Sequence, residues 1–156
     1  MKPTNNNQLQ TITVPRSEYA PFVEIEPAVG SYPPRLYGIT EAGLNKIITN
    51  ISNGKIPIFE GFKPEELLWP LGKLCEHLGN TASESRIEQA LKIAQLYSKT
   101  VAKDIDCYFR VDIYERFSDA QYAIEKRFGE DSNINKLALE TADQFYGDGL
   151  WPVDTV

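Results

Sequence analysis

Only two cysteines, Cys75 and Cys107, and a single histidine, His77, occur in the 156 residues. Two cysteines are too few for a disulfide scaffold and fit a reducing compartment. His77 follows Cys75 by two, a spacing that places the side chains about 200° apart on a helix at 3.6 residues per turn. No second Cys/His group completes a tetrahedral site, and Asp104-x-Asp106 lacks the glycine and later glutamate of a calcium loop, so no metal or cofactor is expected. No Gly-x-Ser-x-Gly elbow and no phosphate-cradling glycine loop is present. A Cys107–His77 pair is the one nucleophile–base combination on offer, and Cys107 lies among Ile105, Tyr108 and Phe109, the setting of an inert thiol. The first ten residues, MKPTNNNQLQ, lack the apolar run of a signal peptide, and no stretch approaches the ~18 apolar residues of a membrane span. A cytoplasmic protein with no membrane association is expected.

What is present is an ordinary globular composition, 42% hydrophobic and 24% charged, in a chain able to bury a core without metal or disulfide. Proline is uneven. Six of ten prolines fall in residues 1–39, among short alternating pieces, LQTITV and FVEIE. Proline at that density blocks a long helix, so residues 1–39 read as an extended, partly disordered arm with room for a short β-ribbon.

From residue 40 the signals are helical. Thr40 is an N-cap, Leu44, Ile47, Ile48 and Ile51 form one stripe, and Asn53-Gly54 closes it. Pro64 opens a second run with Leu67, Leu71, Leu74, Cys75 and Leu78 on one face. Pro70 should kink or split it, and Gly79 should end it. Thr81-Ala-Ser-Glu84 spells a capping box ahead of a seven-residue beat from Ile87 through Leu91, Ala94 and Val101 to Tyr108. Residues 106–117 are ambiguous. Ile105, Phe109, Ile113 and Phe117 recur every four residues, as in a helix, while Phe109, Val111 and Ile113 alternate with polar partners, as in a strand near 107–113. Ser118 with Gln121, flanked by Phe117 and Tyr122, suggests a fresh helix start. Gly129 should end that helix. A last one should begin at Ser132, bury Ile134, Leu137, Ala138, Thr141 and Phe145, and stop at Gly147. The expected fold is therefore mainly α: an irregular bundle of about five helices over residues 40–147, the proline-rich arm, and a tail at 148–156. The alternative is α+β with the strand near 107–113.

The stretch LYGITEAGLNKII, residues 36–48, resembles the junction of wing strand and helix in winged-helix DNA-binding domains. The residues before it, EIEPAVGSYPPR, contain no helix pair, and Lys46 is the only cation of the helix that follows. Helix capping accounts for the same letters, and no family is assigned.

Charge gives the remaining clue. The net charge is −6, and residues 128–156 carry one lysine against six carboxylates while residues 1–39 are balanced. The end segment sets Asp143 and Asp148 beside Tyr146, Leu150 and Trp151, a mixture of apolar anchors and acid suited to a basic protein partner. SYPPRLY in the arm offers a second, extended contact. The expectation is a non-catalytic accessory or regulatory protein that binds another protein through Asp143, Tyr146, Asp148, Leu150 and Trp151. Two alternatives remain. One is a nucleic-acid binder using Lys92, Lys99 and Lys103, or an acidic mimic of nucleic acid. The other is an enzyme whose pocket gathers Tyr, Asp, Arg and His77.

Overall fold

A computed structural model describes residues 9–20, 22–102 and 105–146, and the backbone but not the side chain of Cys107. The order is β1 (Gln10–Val14), β2 (Val23–Glu26), β3 (Arg35–Ile39), α1 (Glu41–Ser52), β4 (Lys55–Phe59), α2 (Leu68–Thr81), α3 (Glu84–Thr100), α4 (Cys107–Phe128) and α5 (Asn133–Asp143). Among the described residues the fold is mainly α, five α-helices with two small two-stranded sheets. β1 and β4 pair in parallel, Gln10 opposite Lys55 and Val14 opposite Phe59. β2 and β3 pair antiparallel, with an irregularity between Glu24 and Ile25. The described part of the proline-rich segment shares the helices' core: Val14, Tyr19, Phe22, Val23, Leu36 and Ile39 are buried in one cluster with Leu44 and Leu71. Across the β1–β4 unit, the Tyr97 hydroxyl donates to the Pro57 carbonyl at 2.6 Å.

Helix α2 is central because its apolar face is nearly unbroken: Leu68, Leu71, Leu74, Cys75 and Leu78 are all buried. Gly72 and Gly79, seven residues apart, let α4 close onto it. A Cβ at Gly72 would lie 2.8 Å from Arg116 Cβ, and one at Gly79 would lie 3.0 Å from Ile124 Cγ1. Gly79 therefore does not end the helix as its type suggests. It is a packing surface, and α2 continues to Thr81. Pro70 falls in the first turn of α2, after a 3-10 turn over Pro64–Leu67, so the apolar run is split where the missing N–H costs least.

Three other helix ends differ from the sequence reading. Thr81 is the last residue of α2, its hydroxyl donating to the His77 carbonyl, and Ser83 caps α3 by accepting from the Arg86 N–H at 3.3 Å. Ser83→Ala should therefore cost about 1 kcal/mol in urea denaturation, and Thr81→Ala clearly less. The reverse order would reinstate the Thr81–Glu84 box. The heptad beat breaks at Val101 and Ala102, whose N–H groups both reach the Tyr97 carbonyl. Asp106 then starts α4 by accepting from the N–H groups of Tyr108 and Phe109. Residues 107–113 are helix and not strand, because the period-four set Ile113 and Phe117 faces the core. Ser118 begins nothing; it lies inside the single helix that runs from Cys107 to Phe128. Gly54 (φ +82°) and Gly129 (φ +101°) follow α1 and α4 with the positive φ that glycine accepts readily, and both helices end there.

Helix α5 starts at Ser132, which accepts from the Asn135 N–H. It packs on α4 and α3 through polar as well as apolar contacts. Buried Asn135 accepts from Gln121 at 2.9 Å and donates to the Glu130 carbonyl, and buried Thr141 accepts from Gln95 at 2.9 Å. The expected stop at Gly147 lies outside the described residues. No described helix is long and apolar enough to cross a membrane.

Candidate functional site

The C-terminal face is built from α4 and the exit of α5. Asp143 is the last residue of α5 and is exposed. Phe145 turns inward, fully buried, and stacks on Phe117 with ring centres 5.1 Å apart. Arg110 holds the turn by donating to the Gln144 carbonyl at 3.3 Å. Tyr146 turns outward, 48% exposed, its ring 5.0 Å from that of Tyr114 on α4. Asp143 and Tyr146 are thus fixed to the body beside α4. Asp148, Leu150 and Trp151, the other expected contact residues, lie outside the described residues.

Because 107–128 is one helix, its outer side carries a stripe not apparent in the sequence. Opposite the buried Ile113, Phe117, Ala120 and Ile124 stand Tyr108, Asp112, Glu115, Asp119 and Tyr122, all exposed. Their spacing of four, three, four and three residues keeps them on one line about 21 Å long, at 1.5 Å rise per residue. Tyr108 is 74% exposed and Tyr122 62%, the latter with the Lys126 ammonium 5.3 Å from its ring centre. Asp112 and Glu115 make no ion pair among the described residues, and Asp119 approaches Arg116 at 3.8 Å. The stripe is an acidic ridge with a tyrosine at each end.

A second aromatic assembly lies where β3 meets α2. The Trp69 ring is 6.0 Å from Tyr37, and three cations surround it: Arg35 at 4.7 Å, Arg116 at 5.4 Å and Lys73 at 5.5 Å. Glu26 pairs with Arg35, and Glu76 and Asp119 with Arg116, so the assembly carries little net charge. Each cation–ring contact contributes about 0.5–1 kcal/mol. The cluster fastens the hairpin to α2 and α4.

Groups that could do covalent chemistry are placed otherwise. Burial pushes the Cys75 thiol well above its ordinary range, which keeps it protonated and unreactive. His77, two residues on, is exposed, so the two face opposite sides of α2. Burial likewise raises the Tyr97 hydroxyl, and it raises that of Tyr19 against the opposing pull of nearby Arg16; both hydroxyls donate to backbone carbonyls of the β4 region. Among the cations offered for nucleic acid, Lys92 pairs with Glu88 at 2.7 Å, Lys99 is exposed, and Lys103 lies outside the described residues. Compared with known proteins, the chain matches no family, no curated protein and no solved structure.

Proposed function

We propose that the chain is a non-catalytic accessory or regulatory protein that binds another protein through its acidic, aromatic C-terminal surface, helped by the N-terminal segment. The observation that carries this reading is the α4 ridge. Tyr108 and Tyr122 stand out of a folded helix around Asp112, Glu115 and Asp119, and on another flank of the same helix Tyr146 meets Tyr114, with Asp143 exposed at the end of α5. Rings held on a helix lose little entropy on binding, and carboxylates such as Asp112 and Glu115, without an ion pair among the described residues, steer a basic partner into register. Asp148, Leu150 and Trp151, outside the described residues, belong to the same proposal. We take the place of action to be the cytoplasm, in keeping with the scarcity of cysteine and with Cys75 as a buried free thiol.

The test is affinity capture from extract of the native cell, nuclease-treated, at low and high salt. Asp112→Lys with Glu115→Lys, and separately Asp143→Lys with Asp148→Lys, should each reduce the captured partner by roughly tenfold at low salt. Trp151→Ala should also reduce it, and all should keep the wild-type circular dichroism spectrum. Undiminished capture by these variants would reject the C-terminal surface as the binding site. Loss of capture on nuclease treatment would reject a protein partner.

A further inference from the structure

The β2–β3 hairpin is unusual in what it displays at its tip. Val29 and Tyr32 bond reciprocally, N–H to carbonyl at 3.1 and 2.9 Å, across Gly30 (φ +59°) and Ser31. A glycine of positive φ at the first position of a two-residue turn is the type II′ hairpin arrangement, which matches strand twist. The turn is therefore tight, and its backbone sets the directions in which the side chains leave. Yet Val29 is 65% exposed and Tyr32 76%, the highest exposure of any large apolar side chain among the described residues, and Tyr32 makes no ring contact there. Tyr32 and Pro33 each precede a proline, which confines both to extended backbone, and neither proline has an N–H to offer. Between this tip and Glu66 of the Pro64–Leu67 turn lies an open groove of about 340 Å³, lined by Val29, Tyr32, Pro27, Pro33, Pro34 and, at its rim, Glu26, Arg35 and Glu66.

We propose that this groove is a docking site for an aromatic side chain, tryptophan foremost, presented by a protein partner. Pyrrolidine rings and a phenol offer flat, donor-poor walls, and what packs on them is another ring. Glu26 engages Arg35 through Oε1 and Glu66 accepts from the Lys63 N–H through Oε2, which leaves one further carboxylate oxygen on each to accept from an indole N–H, a donor that phenylalanine and aliphatic side chains lack. The turn and the β2–β3 pairing already set the backbone, so the ordering cost on binding falls on side chains. The inference rests on the chain being a protein-binding module, but not on its C-terminal surface.

N-acetyltryptophanamide titrated into the full chain, followed by NMR, tests it. The expected result is saturable shifts confined to the hairpin tip and Glu66, with about millimolar affinity for so small a probe. N-acetylleucinamide should bind about tenfold more weakly, and Tyr32→Ala should remove the response; at 76% exposure that substitution leaves the fold intact. The Asp112→Lys, Glu115→Lys protein should respond as the wild type does, so this site and the α4 ridge can fail separately. No saturable shift at the tip, an equal response to the leucine analogue, or a response that survives Tyr32→Ala would overturn the proposal. So would saturation of the tip by a ten-residue oligothymidylate while the tryptophan analogue leaves it untouched, which would make the tip a base-stacking surface.

Discussion

Gly43→Ala is expected to destabilise the protein by about 3 kcal/mol or more, the upper range for forcing atoms into a packed interior. Helix propensity alone gives the opposite sign, since alanine in place of glycine favours a helix by about 1 kcal/mol. The reversal comes from what lies against the first turn of α1. A Cβ at Gly43 would be 1.9 Å from the Phe22 carbonyl oxygen and 2.6 Å from the Phe22 carbonyl carbon. Both are backbone atoms, so no side-chain rotation relieves the clash. The Phe22 carbonyl also accepts from the Thr40 N–H at 3.3 Å, and Thr40 caps α1 by accepting from the Gly43 N–H at 2.8 Å. The start of α1 and the entry to β2 would have to separate together. For a chain of this size, such a loss lowers the thermal midpoint by roughly 10 °C. Urea and thermal denaturation by circular dichroism measure it directly. A variant as stable as the wild type would mean that α1 does not seat on Phe22.

Phe145→Ala should cost about 3–5 kcal/mol, the usual range for deleting a fully buried phenylalanine. Its ring has no exposed surface and stacks on Phe117 at an interplanar angle of 23°. The residue lies beyond the last turn of α5, so the loss falls on the segment that carries Tyr146. Partner capture should fall with it even well below the melting temperature. Tyr146→Ala, at a half-exposed position, should weaken capture with little change in stability. Phe117→Ala combined with Phe145→Ala should cost less than the two single losses added, because the rings share one contact. Full additivity in denaturation experiments would show that each ring packs independently.

Much of the helical body is legible in the sequence because helix signals are local. Thr40 ahead of Leu44 and Ile47, and Ser132 ahead of Ile134 and Ala138, are caps followed by stripes, and both helices begin where those letters say. The misreadings share a cause. Gly79 as a helix end and Gly79 as a seat for Ile124 are the same letter, and only the neighbouring helix distinguishes them. Thr81 and Ser83 are both good caps; the chain uses the one that lets Thr81 finish α2. The break at Val101 and Ala102 carries no glycine or proline because it is stabilised by backbone bonds to Tyr97 and by burial of Ala102. The parallel pairing of β1 with β4 could not be read at all, since LQTITV and IPIF do not name each other. Of the expected contact residues, Asp143 and Tyr146 are placed at one surface. The α4 ridge went unseen because the strand-like alternation of 109–113 obscured the heptad spacing of Tyr108, Asp112, Glu115, Asp119 and Tyr122.

The β1–β4 pairing has a consequence for how the chain reaches this form. Parallel strands need a long crossover, and here the entire hairpin and α1 intervene between Val14 and Lys55. During synthesis the first strand therefore emerges well before its mate, with the hairpin and α1 between them. Closing so long a loop carries an entropic toll, which should slow the folding of the parallel pair relative to the helices' local contacts.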